Sequence, residues 1–299
     1  DNKFFFKKNN LFQTNTKLSL KSKKRLQKTK SDNTLRAYES DWLDFYDWCN
    51  HAKLSPLPAE PETVINYIND LADNAKANTV SRRLSAISEN HKAANFFEQN
   101  PCRHALVRNA LDSIKREKGT MQHGKAPILM EDITELSSYF AIGDITGIRD
   151  KALVLIGFMG AFRRSELVAI NIEDLSFTND GVIILISKSK GDQDGRGEYV
   201  AIPYASNHNI CAVTALKNWI NELPDKSGPL FRPLNKHKQI RNQRLTSQSV
   251  ALILKKYVAL AGFNPDDFAG HSLRRGFATS AAQHDVDERN IMQQTRHKS

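Results

Sequence analysis

Apolar residues that return at intervals of three and four are the strongest constraint in this chain, because that spacing lines one face of a helix and fits no strand. Leu35, Tyr38, Trp42, Phe45 and Cys49 keep it behind Ser31 or Asp32, either of which suits an N-cap. In LPAEPETVINYINDLA, Pro61 suits a first helical turn, and Val64, Ile68 and Leu71 share a face. Val80, Leu84 and Ile87 form the next stripe, with Asn78 as the cap. A fourth stretch runs from about Arg103 to Lys118 with Leu106, Leu111 and Ile114 inside. Four amphipathic helices of this length predict a small bundle over 31–118.

Periodicity lapses in REKGTMQHGKAPIL, residues 116–129, which gathers Gly119, Gly124 and Pro127. A linker is therefore set at 119–126 and a second domain at 127–299. There the spacing predicts helices at about 131–141, 148–170, 209–223, 247–261, 271–283 and 286–294. Two β-rich runs, Val182–Ser187 and Glu198–Pro203, flank a polar turn containing glycine, and so predict a hairpin. The expected fold is mainly α: an N-terminal four-helix bundle, then a mostly α-helical domain with a small antiparallel β-sheet. A length of 299 residues agrees with two domains rather than one.

The formal charge of +10 favours a polyanionic partner. Part of that excess sits in residues 1–30, a lysine-rich tail with one acid, Asp1, read as a flexible solvated leader with a DNA-touching arm as the alternative. Cys49, Cys102 and Cys211 are widely spaced and odd in number, which suits neither a disulfide framework nor a zinc site and indicates a reducing, cytoplasmic setting. The longest apolar run, ALVLIGFMGAF at 152–162, is too short to cross a bilayer and reads as a buried helix.

Three stretches carry candidate chemistry. In GFMGAFRRSEL, Glu166 follows Arg163 by one helical turn and can hold its guanidinium fork toward an anion. Arg164 is the alternative. Lys188 and Lys190 stand where the first hairpin strand ends, and a lysine there can reach into a neighbouring site as a proton donor. In GHSLRRGF, His271 and Arg274 share a helical face while Arg275 points elsewhere. A proton-exchanging His beside a phosphate-clamping Arg fits phosphoryl transfer better than proteolysis. His297 adds a second late histidine. No HExxH, GxSxG, Walker A or GxGxxG pattern competes.

In that order and at those intervals, these residues resemble the tyrosine recombinase, or phage integrase, family over roughly 31–299, with Cre-like and bacterial integrase-like members. The family arginine falls on Arg163, the hairpin lysine on Lys190, the His-x-x-Arg pair on His271 and Arg274, and the late His on His297. The resemblance implies a tyrosine nucleophile, a 3′-phosphotyrosine intermediate and strand rejoining, with no metal, ATP or other cofactor. It assigns Arg163 and Arg274 to the non-bridging oxygens, Lys190 to the leaving 5′-oxygen, His271 to proton exchange and His297 to a phosphate hydrogen bond, with Glu166 orienting. It implies a SAM-like core-binding first domain that grips DNA. Asn78, Thr79, Arg82 and Arg83 would face the major groove and Lys76 the backbone. The implied partners are double-stranded DNA with paired half-sites and further copies of the chain, a dimer on one site and a tetramer in synapsis, with no membrane.

The family tyrosine follows the late His by roughly nine residues, whereas Tyr38, Tyr46, Tyr67, Tyr139, Tyr199, Tyr204 and Tyr257 all lie upstream of His297. The expectation is a catalytic domain truncated before its nucleophile and inactive in cleavage as it stands. A DNA-binding remnant without a nucleophile and a type IB topoisomerase-like enzyme are the alternatives.

Overall fold

A computed structural model describes residues 32–121, 124–141, 143–187 and 197–296. The chain divides into two compact units, Asp1–Gln122 and His123–Ser299.

The first unit holds α1 (Asp32–Ala52), α2 (Pro61–Asn74), α3 (Ala77–Ala93) and α4 (Ala105–Lys118). Trp42, Phe45, Val64, Ile68, Val80 and Ile87 form its buried centre, the stripes that three- and four-residue spacing put on single faces. Burying each such side chain contributes about 1.5–3 kcal/mol. Two expectations change. The cap of α3 is Lys76, whose carbonyl accepts from Thr79 and Val80 at 2.8 and 3.2 Å, so Asn78 lies inside the first turn. On α4, Leu106 is exposed and Val107 takes its place inside, because Val107, Leu111 and Ile114 share a face at spacings of four and three that Leu106 lies beside.

The second unit holds α5 (Met130–Ser137), α6 (Ile145–Met159), α7 (Arg164–Ala169), strands β1 (Leu175–Phe177), β2 (Gly181–Ile186) and β3 (Glu198–Pro203), then α8 (Ala212–Glu222), α9 (Ser247–Leu260), α10 (Ser272–Gln283) and α11 (Glu288–Thr295). The sheet is antiparallel in the order β1-β2-β3, with Ile184 opposite both Leu175 and Val200. Val182, Ile184 and Ile186 point into the core with Val200 and Ile202, as a two-residue side-chain period requires. β1 is an addition to the expected hairpin. The helix expected at 131–141 stops at Ser137, and the one expected at 209–223 begins at Ala212 after a tight turn at His208–Ile210.

α6 is the central element: Ala152 to Ile156 and Phe158 are all fully buried, which explains the unbroken apolar run. The helix expected from 148 to 170 is instead two helices, α6 and α7, separated by a turn at 160–163. No helix among the described residues is long and apolar enough to cross a membrane.

Candidate active site

The turn after α6 is the frame of the site. Ala161 donates to the Phe158 carbonyl at 2.9 Å and Phe162 to the Gly157 carbonyl at 3.1 Å, the paired bonds of a Schellman C-terminus. That motif needs a left-handed residue, and Ala161 supplies it at φ 46°, at a cost of about 1–2 kcal/mol for a side chain other than glycine. The chain then re-enters a helix at Arg163, which has extended backbone (φ −68°, ψ 148°) and caps α7.

Arg163 and Glu166 are therefore a capping pair rather than neighbours within one helix. The buried Glu166 carboxylate accepts from the Arg163 amide at 2.9 Å and from its guanidinium at 2.5 Å. Burial works to raise the Glu166 carboxyl, but the two bonds from Arg163 and the charges of Arg296 and Arg163 outweigh it and hold the group below its ordinary value.

α10 brings the second arginine to the same turn. Arg274 is 6% exposed and donates from Nη1 to the Ala161 carbonyl at 2.9 Å. Its Nη2 is buried with no hydrogen-bond partner among the described residues. Burial, then the nearby positive charges of Arg163 and Arg296, pull the guanidinium down to about 10, against the opposing pull of Glu166 and Glu198. A buried cationic donor left without an acceptor costs free energy unless a ligand satisfies it, and cations converging on one point select an anion. His271 stands exposed at the start of α10, one helical turn before Arg274.

Close helix packing makes this approach possible. A Cβ at Gly157 would lie 3.0 Å from side-chain carbons of Leu167 on α7 and Leu273 on α10. A methyl at Gly276 would overlap the Ile128 carbonyl oxygen, which is backbone and cannot yield cheaply. Gly276→Ala is expected to displace α10 and destabilise the unit by about 1–3 kcal/mol, read as a lower denaturant midpoint. An unchanged midpoint would show that α10 has slack at this position.

The neighbouring arginines make other contacts. Arg164 lies against Gly270, where a Cβ would overlap its side chain, and Arg275 donates to the Lys125 carbonyl at 2.6 Å. Lys188, Lys190 and His297 lie outside the described residues. Sequence reading missed Arg296, whose side chain reaches the Glu166 carboxylate at 2.7 Å. Its only sequence signal is a basic residue just past the end of α11. Among the described residues, no group of His, Cys, Asp and Glu side chains is arranged to hold a metal ion.

In the first unit, Lys76, Asn78 and Arg82 are exposed at the start of α3, and Thr79 is half-buried beside them. Arg82 also holds the buried Asp41 carboxylate, with two contacts of 2.9 Å. Arg83 turns inward. It pairs with Asp44 and donates to the Tyr67 hydroxyl at 2.7 Å, and its bonds hold Asp44 below its ordinary pKa. Its Nη1 is thus turned toward Asp44 of α1 and Tyr67 of α2, which sets Arg83 apart from the exposed residues expected beside it at the groove. Arg83→Ala is expected to destabilise the bundle by about 1–3 kcal/mol, the cost of leaving the buried Tyr67 hydroxyl without its donor, read by thermal unfolding. A DNA-affinity loss at unchanged stability would return Arg83 to the interface.

Three tyrosine hydroxyls have fixed partners. Tyr67 donates to Asp44 and Tyr257 to Asp150, each at 3.0 Å, and Tyr204 accepts from Lys217. Burial pushes both Tyr67 and Tyr257 well above the ordinary phenol value.

Two family models match the chain: the Phage integrase family over residues 128–299, and the phage integrase N-terminal SAM-like domain over residues 23–95. The chain is 59% identical over 297 residues to an integrase/recombinase xerD homolog of Selenomonas ruminantium, covering 99% of this chain and 87% of that protein. It is 26% identical to the tyrosine recombinase XerC of Thermodesulfovibrio yellowstonii, covering 92% of this chain and 85% of that one. Among solved structures, XerH site-specific recombinase bound to a difH substrate aligns with a TM-score of 0.63 at 18% identity, covering 89% of this chain and 74% of that one. A lambda integrase dimer bound to a COC′ core site aligns at 0.59 and 14%, covering 90% and 70%. At such identities these two likenesses speak for the fold: a helical, SAM-like first domain and a helical second domain with a three-stranded antiparallel sheet. The family match across more than half of the chain and the 59% identity along nearly all of it together establish the membership: the chain belongs to the phage integrase family and is a site-specific tyrosine recombinase.

Proposed function

We propose that this recombinase cleaves and rejoins DNA at the Arg163–Arg274 pocket through a 3′-phosphotyrosine intermediate. The observation that carries the reading is the buried Nη2 of Arg274, which has no partner among the described residues, at a turn shared with Arg163 and Glu166. Both guanidiniums bind the non-bridging oxygens of the scissile phosphate and stabilise the charge that builds as a fifth oxygen approaches phosphorus. A tyrosine hydroxyl loses its proton toward His271 and attacks, the bond to the 5′-oxygen breaks, and Lys190 supplies the proton that oxygen takes up. A 5′-hydroxyl later attacks the phosphotyrosine and releases the tyrosine, so each bond broken is replaced by one of like energy and no ATP is consumed. His297 adds a hydrogen bond to the phosphate, and Glu166 orients Arg163.

Both units grip the duplex. Lys76, Asn78, Thr79 and Arg82 are the contacts assigned to the first, joined to the second through the 119–126 linker. Paired half-sites recruit two copies to a site and four to a synapse. A DNA substrate places the protein with the nucleoid in the cytoplasm.

The test is covalent trapping on a nicked suicide duplex carrying a selected site, with the adduct mapped by mass spectrometry in the full-length protein. A tyrosine-linked 3′-phosphate is expected, at none of Tyr67, Tyr204 and Tyr257, whose hydroxyls are committed to other partners. An adduct through serine, or one of those three tyrosines, would overturn the assignment.

A further inference from the structure

Arg296 follows α11 in a left-handed conformation, φ 56° and ψ 45°, that costs any residue but glycine free energy. Its side chain is 4% exposed and turns back onto the turn that frames the pocket. Nη1 donates to the Gly160 carbonyl at 3.2 Å and the Gln294 carbonyl at 3.0 Å. Nη2 donates to the Ala161 carbonyl at 3.3 Å and to Glu166 at 2.7 Å. The guanidinium lies 5.1 Å from the Phe162 ring centre, and Gln294 adds a bond to the Met159 carbonyl at 2.9 Å.

Two of those acceptors already have another arginine. The Ala161 carbonyl receives Arg274, and Glu166 receives Arg163. Arg296 is thus the one side chain among the described residues seen to bond both anchors of the phosphate arginines. It is too buried to touch DNA itself. Placing a third cation beside two others is unfavourable in itself, and Glu166 offsets that only while the geometry holds.

We propose that Arg296 is a positioning residue that fixes the Ala161 carbonyl and the Glu166 carboxylate relative to each other, so that Arg163 and Arg274 address one phosphate. This rests on the phosphate-pocket reading above. The planar fork is essential to the role, because one head must meet backbone carbonyls and a carboxylate at once, which the point charge of lysine cannot do.

The experiment compares Arg296→Gly, Arg296→Lys, Arg274→Ala and the double variant Arg274→Ala/Arg296→Gly in the full-length protein. Glycine relaxes the left-handed backbone, so the variant keeps its fold while losing the bonds; lysine keeps the charge and serves if the glycine variant folds poorly. DNA affinity by fluorescence anisotropy should stay within about threefold of the parent, while the single-turnover cleavage rate falls by about a hundredfold, as small misplacements of reacting groups do. In the Arg274→Ala background, Arg296→Gly should add clearly less than it costs in the parent, because the part of its action that runs through Arg274 is already gone and only the Glu166–Arg163 part remains. Parent-like cleavage by Arg296→Lys or Arg296→Gly, or a full additional loss in the double variant, would overturn the proposal. If Arg274→Ala itself cleaved normally, the pocket reading would fall instead, which keeps the two failures apart.

Discussion

Arg274→Ala is expected to lower the rate of strand cleavage by about a hundredfold or more, in line with the roughly 2.7–4 kcal/mol lost when one preorganised charge-stabilising donor is removed. Arg163→Ala should lose a similar amount. Arg274 contributes Nη2, a buried donor with no partner among the described residues, while its Nη1 holds the Ala161 carbonyl. Arg164→Ala and Arg275→Ala should matter far less, because among the described residues neither is seen to bond the Ala161 carbonyl or Glu166, and Arg275 holds the Lys125 carbonyl. Single-turnover rates at saturating protein separate these effects from binding. An inactive Arg164→Ala would shift the assignment in FRRSEL by one residue.

The second large effect is on DNA affinity. Several phosphate contacts, each releasing counterions, should make binding fall by about 10³–10⁵ between 50 and 200 mM salt if six or more phosphates are neutralised. Residues 127–299 alone should bind much less tightly than 31–299, because the exposed start of α3, with Lys76, Asn78 and Arg82, is then missing. Equal affinities, measured by anisotropy across a salt series, would remove the gripping role from the first unit.

What the sequence reveals about this site follows from how local each arrangement is. His271 and Arg274 are legible because one helical turn separates them and α10 forms as its spacing predicts. Arg163 and Glu166 are legible as a pair but not in their geometry. The break before them depends on a left-handed Ala161, and alanine within an apolar run gives no signal of a helix end. Arg82 and Arg83 are adjacent basic residues, and nothing local says which turns inward; Asp41, Asp44 and Tyr67 decide it from α1 and α2. Arg296 acquires its partners only when α11 returns to the end of α6, more than a hundred residues earlier in the chain. β1 is three residues long, too short for alternation to register. The helical stripes of α1, α2 and α3 needed no such long-range information.

The most direct test of the phosphate pocket replaces the charged scissile phosphate with a neutral methylphosphonate in an otherwise identical suicide duplex. If Arg274 neutralises charge on a non-bridging oxygen, its loss should matter much less once that charge is gone. The hundredfold deficit of Arg274→Ala expected on natural DNA should shrink to about tenfold or less on the neutral substrate. An equal deficit on both substrates would contradict the pocket, leaving Arg274 as a buried structural residue of α10.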